Sequence, residues 1–118
     1  MRELHAWNAV LLIVANGLAA GWGLIYVWRK RTPGRIYAHA LALAQALLIA
    51  QVALGLLLLS DGSVSPDRLH AVYGVLALLA ALSPWVYAPP VPAKRLLWFS
   101  GAALLATALS IRAYTTGL

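Results

Sequence analysis

Cysteine is absent from this 118-residue chain, and acidic residues number only 3. Without thiols there is no disulfide, no thiolate nucleophile and no iron–sulfur cluster. Charged residues make up 10% of the chain and apolar residues 63%. Soluble domains carry about 25% and about 45–50%. An ordinary soluble globule, a disordered tail and a coiled coil are therefore excluded. No Asp, Glu, Lys or Arg stands in the middle of a long apolar stretch. That removes the embedded carboxylate on which proton-coupled pumps and small four-helix multidrug exporters rely. No GxGxxG, Walker loop, HExxH or GxSxG occurs, and neither Ser60 nor Ser110 has a base and an acid at workable positions. Hydrolase chemistry has no support.

What remains is four long apolar stretches. A bilayer core of about 30 Å needs roughly 20 apolar residues in helical form. Residues 6–28, 36–60 and 69–88 meet this, and 96–114 does so if Arg112 snorkels. The connections 29–35, 61–68 and 89–95 are short, so consecutive helices must be antiparallel neighbours. The expected fold is all-α: an integral membrane, up-down four-helix bundle, with residues 1–118 forming a single transmembrane domain. Turn chemistry agrees. Thr32-Pro33-Gly34, Asp61-Gly62 and Pro89-Pro90-Val91-Pro92 break the chain between spans, Ser65 or Asp67 can cap the third helix, and Pro84 is expected to kink its last turn.

The net charge of +6 suits a membrane surface better than nucleic acid, because the basic clusters are short loops beside apolar spans. Arg29, Lys30, Arg31, Arg35, Lys94 and Arg95 fall at one end. Arg2, Arg68 and Arg112 fall at the other, with all the acids, Glu3, Asp61 and Asp67. The positive-inside rule puts the richer end in the cytoplasm and both termini outside, in a bacterial inner membrane. The basic cluster follows the first apolar stretch, whereas a cleaved signal has its charges before it, so the first span is expected to be retained. Trp28, Trp85, Tyr87 and Trp98 near the basic end, with Trp7 and Tyr114 near the other, form the usual aromatic belts.

Leu4-His5-Ala6 and Leu69-His70-Ala71 open the first and third spans, 65 residues apart. The echo suggests duplication of a two-helix hairpin, and it sets His5 and His70 at one depth on parallel helices that can face each other diagonally. At about 100° per residue, His5, Asn8, Asn16 and Gly23 share an arc of roughly 80° on the first helix. On the third, Gly74, Ala77 and Ala81 form a small-residue groove below His70. Gln51 and Gly55 share a face of the second helix that Gln45 and His39 do not clearly join.

Two readings of these polar residues stay open. In one, Asn and Gln hydrogen-bond across helices, small residues let backbones approach, and the histidines snorkel to water. In the other, His5 and His70 are metal ligands filling both axial positions of a haem b iron. Gly74, Ala77 and Ala81 would then make room for the flat macrocycle. Arg2, Arg68 and Arg112 would pair with its propionates, and Trp7 and Tyr73 would flank it.

With Gln51-Val52-Ala53-Leu54-Gly55 and His70-Ala71-Val72-Tyr73-Gly74, the layout resembles small four-helix membrane cytochromes b of the cytochrome b561 and haem A synthase type. The resemblance implies electron transfer, with ligands drawn from alternate helices. Two-haem members have four axial histidines; this chain has three histidines in all, so one matched pair is available and His39 is left alone. The expected function is a single-haem electron-transfer module exchanging electrons with a quinone or a periplasmic partner. The alternative is a cofactor-free accessory subunit of a larger membrane complex. Gly17, Gly21 and Gly23 are candidates for a homodimer contact in either case.

Overall fold

The computed structural model describes residues 2–62 and 68–116. The expected caps Ser65 and Asp67 lie outside them. Five helical elements follow in order: α1 (Arg2–Trp28), α2 (Arg35–Ser60), α3 (Arg68–Leu82), α4 (Pro84–Tyr87) and α5 (Pro92–Thr116). Among the described residues, four stretches are long and apolar enough to cross a membrane: α1, α2, the run Arg68–Tyr87 that joins α3 to α4, and α5. The chain is a small multi-pass membrane protein with an all-α, four-helix architecture, 48 Å long and about 20 Å across.

The helix ends show why the sequence breaks where it does. Gly62 ends α2 with a φ of 77°, a conformation that costs glycine nothing. Pro84 has no N–H to continue the α3 ladder, so the helix stops at Leu82 and resumes as one turn. Ser83 Oγ donates to the Ala80 carbonyl at 2.9 Å, and Gln45 Nε2 donates to the Ala81 carbonyl at 3.2 Å. The expected kink is thus a full break whose freed carbonyls are satisfied by side chains. The fourth span also starts earlier than the apolar run implies, at Pro92, because Lys94 and Arg95 extend from the first turn of α5 without interrupting it.

Around the bundle, α1 packs on α2 and α5, and α3 packs on α5. The α2–α3 pair is the loosest neighbour pair, while α1 faces α3, and α2 faces α5, across the diagonals. Lipid tails are as apolar as leucine, so helices associate through close packing and polar contacts rather than through hydrophobicity. The buried residues fit that rule: Ala19, Ala20, Ala44, Ala77, Ala103 and Ala106 are almost wholly covered. One cluster joins Ala19, Ala20, Tyr37, Leu41, Leu96, Phe99 and Ala103 towards the basic end. A second joins Leu12, Leu48, Ala77, Ala81 and Ala106 at mid-bundle. Large apolar side chains such as Leu18, Ile25, Leu43 and Leu79 point outward, as a lipid-facing surface requires.

Polar residues in the spans tie helices together. Asn8 Nδ2 donates to the Leu47 carbonyl and to Gln51 Oε1, both at 2.9 Å. Asn16 Nδ2 reaches the Ala44 carbonyl at 3.3 Å. Gln45 belongs to the inner face after all: besides its bond to Ala81, it accepts from Trp85 Nε1 at 2.9 Å. His39 stays exposed beside the basic turn. Two of the three glycines considered for dimerisation are spent inside the bundle. A β-carbon on Gly23 would overlap the Ser100 side chain, and one on Gly17 would touch Thr107 at 3.7 Å; only Gly21 faces open space.

Candidate functional site

At the end that carries both termini, the core does not close. A cavity of about 650 Å³ is lined by residues of α1, α2, α3 and α5. Its size falls within the range of small-molecule and cofactor sites. Its apolar wall includes Leu12, Ile13, Leu48, Val52 and Val75, and its polar groups are Arg2, His5, Gln51, His70, Ser110 and Tyr114.

His5 and His70 meet in its lining. Their ring centres are 5.9 Å apart and the planes are inclined by 64°. The pair spans the α1–α3 diagonal, where the backbones themselves do not approach closely. Each ring is set by a neighbour. His70 Nδ1 lies 2.7 Å from the Ala113 carbonyl on α5. A carbonyl only accepts, so Nδ1 carries the proton, and the bond fixes the ring against α5. His5 is anchored through its backbone, since Gln51 Nε2 donates to its carbonyl at 2.8 Å. Its Nε2 edge lies beside Gly55, where an added β-carbon would come within 3.3 Å. A side chain at position 55 would displace the ring.

Other residues keep the space open. A β-carbon on Gly74 would meet nothing within 4 Å. Ser110 is 6% exposed and lines the cavity, and its Oγ has no hydrogen-bond partner among the described residues. A buried hydroxyl without a partner is costly unless something in the cavity satisfies it.

The sequence-derived site is therefore brought together in part. His5, His70, Arg2 and Gly74 all line the cavity. Ala77 and Ala81 do not: they are 0% and 3% exposed, packed into the mid-bundle cluster with Leu12 and Leu48. The expected groove ends at Gly74 because those leucines fill it. Trp7 is 71% exposed and faces outward. Tyr73 lies outside the lining, with the Arg112 guanidinium 5.8 Å from its ring centre. Arg68 is exposed at the start of α3. Of the three arginines considered, only Arg2 reaches the cavity. Gly55, Ser110 and the Ala113 carbonyl were not singled out as site residues. Gly55 carried a signal, since it shares a face with Gln51; a backbone carbonyl carries none.

The described residues contain no cluster of three or more His, Cys, Asp or Glu side chains able to hold a bare metal ion. Fold and cavity together define a four-helix multi-pass membrane protein with a histidine pair in the lining of an internal space. Comparison with protein-family models, curated proteins and solved structures gave no match.

Proposed function

We propose that the protein is a single-haem, b-type membrane electron carrier, with the haem held between α1 and α3 by His5 and His70. The observation that carries this reading is the diagonal histidine pair, 5.9 Å between ring centres, opening on a cavity of about 650 Å³. Two imidazoles sharing one metal through facing nitrogens hold their ring centres roughly 6 Å apart, given imidazole–metal bonds of about 2 Å. The residues fit the group in other respects. The Ala113 carbonyl orients His70, Gly55 gives His5 its place, Gly74 leaves room, and Ser110 Oγ is an unused polar group inside. Arg2 is the cation placed to meet a carboxylate in the cavity. Haem bound here would supply reversible one-electron chemistry at its iron. The apolar wall would restrict water, and the histidine anchors would hold the ligands rigid. The resemblance to small four-helix cytochromes b supports the same reading. In the orientation the charges favour, the site faces outside, within reach of a quinone in the bilayer or a periplasmic redox partner.

The test is a visible absorption spectrum of the detergent-purified protein, oxidised and then reduced with dithionite. A Soret band that sharpens on reduction, with a distinct α band, is expected, and His5→Ala and His70→Ala should each abolish that six-coordinate signature. Colourless protein from haem-replete cells, unchanged after added haemin, would refute the assignment. The second reading, a cofactor-free accessory subunit, draws on the hydrogen bonds at the site. Gln51 to the His5 carbonyl and His70 to the Ala113 carbonyl also serve as helix-to-helix ties. It predicts colourless protein that keeps its fold in both histidine variants and co-purifies with a larger membrane complex.

A further inference from the structure

The opposite end of the bundle carries a second recognisable surface. Helix α1 ends in a Schellman motif: Arg31 N–H donates to the Tyr26 carbonyl at 3.0 Å and Lys30 N–H to the Val27 carbonyl at 3.1 Å. The residue that turns left-handed in this motif is ordinarily glycine, because a β-carbon opposes that conformation. Here it is Lys30, with φ 56°. The turn gives up backbone ease and gains a cation, flanked by Arg29 and Arg31 with Arg35 just beyond, all four exposed. A second basic segment adjoins the hydrophobic cluster of Leu96 and Phe99, against which Tyr26 and Val27 of α1 also pack. The Arg95 guanidinium is held 5.5 Å from the Trp85 ring centre and 5.0 Å from that of Phe99, and donates to the Ala88 carbonyl. The three acidic residues of the chain all belong to the other end of the sequence pattern. Trp28, Trp85, Tyr87 and Trp98, all exposed here, suit the headgroup layer.

We propose that this turn and Arg95 form a binding surface for anionic phospholipid headgroups, with Lys30 at its centre. Charge complementarity carries the choice of partner. A zwitterionic headgroup offers no net charge to a surface bearing cations on two segments and no acid, whereas an anionic one adds attraction for every cation near it. The left-handed lysine separates this reading from a topology signal alone, which any basic residue at any backbone angle would provide.

The test is native mass spectrometry of the full chain in detergent, titrated with dioleoylphosphatidylglycerol or dioleoylphosphatidylcholine. Phosphatidylglycerol should be retained about tenfold more strongly. Lys30→Gly should weaken that retention about fivefold, the effect of roughly one basic residue at an anionic surface, while melting no lower than the parent because the turn is relieved. Arg68→Gln, an equal charge change at the far end, should leave the preference intact. Equal retention of the two lipids would overturn the proposal, as would a preference that survives Lys30→Gly combined with Arg29→Gln and Arg31→Gln. Displacement by millimolar inorganic phosphate would reassign the surface to free phosphate and overturn the lipid assignment.

Discussion

The two diagonals of this bundle are bridged by different contacts. Towards the basic end, Tyr37 of α2 reaches Ser100 of α5, and the two hydroxyl oxygens lie 3.0 Å apart. They meet in the space that Gly23 of α1 leaves by having no side chain. At the other end, His5 of α1 and His70 of α3 face across the second diagonal, beside Gly55 of α2. Both crossings use one polar residue from each diagonal helix and a glycine on a third. One closes through a direct hydrogen bond, and the other through an edge-to-face ring contact, 5.9 Å between centres, beside the cavity.

The sharpest break of this comparison exchanges glycine for alanine at each end. Gly23→Ala puts a methyl into the Ser100 and Tyr37 side chains and should destabilise the bundle by about 1–3 kcal/mol, the usual cost of overpacking. Thermal melting in detergent reads it. Next in size is Tyr37→Phe, which strands the Ser100 hydroxyl at 0% exposure. A loss of about 0.6–1.7 kcal/mol is expected, as for hydrogen bonds between transmembrane helices. Smallest, and opposite in sign, is Gly74→Ala: nothing opposes its methyl, so the gain in helix propensity should stabilise by up to about 1 kcal/mol. Gly74→Leu extends the contrast from stability to binding. It should leave the melting temperature near that of the parent yet remove the haem absorption bands by filling the cavity. A Leu variant that still shows full bands would separate the haem reading from this cavity.

The four spans were legible in the sequence because apolar length and interrupting Pro, Gly and basic residues are local properties. The inward face of α1 was legible too, since Asn8, Asn16 and Gly23 are unlike their neighbours and each makes a contact between helices or close packing. The faces of α2 and α3 were harder. In lipid both sides of a helix are apolar, so alanine and leucine positions do not announce which way they point. Ala77 and Ala81 read as a groove, yet whether small residues leave a space or admit a neighbour depends on Leu12 and Leu48, contributed by other helices. Gln45 was obscured in the same way, because its partners are the Ala81 carbonyl, freed by a helix break, and Trp85 beyond it. The histidine diagonal could be anticipated from matched depth. The narrowing of the arginine set to Arg2 could not, since it rests on Arg112 lying over Tyr73.

The unequal lengths of the spans also set how the protein sits among lipids. The apolar stretch of the third span, 69–88, has 20 residues, while that of the first, 6–28, has 23 and that of the second, 36–60, has 25. At 1.5 Å per residue these come to about 30 Å, 35 Å and 38 Å. The protein's girth is therefore uneven. Lipid that matches α3 leaves α1 too long, and lipid that matches α1 must thin on the α3 side. A bilayer around this bundle meets a thin flank and a thick one.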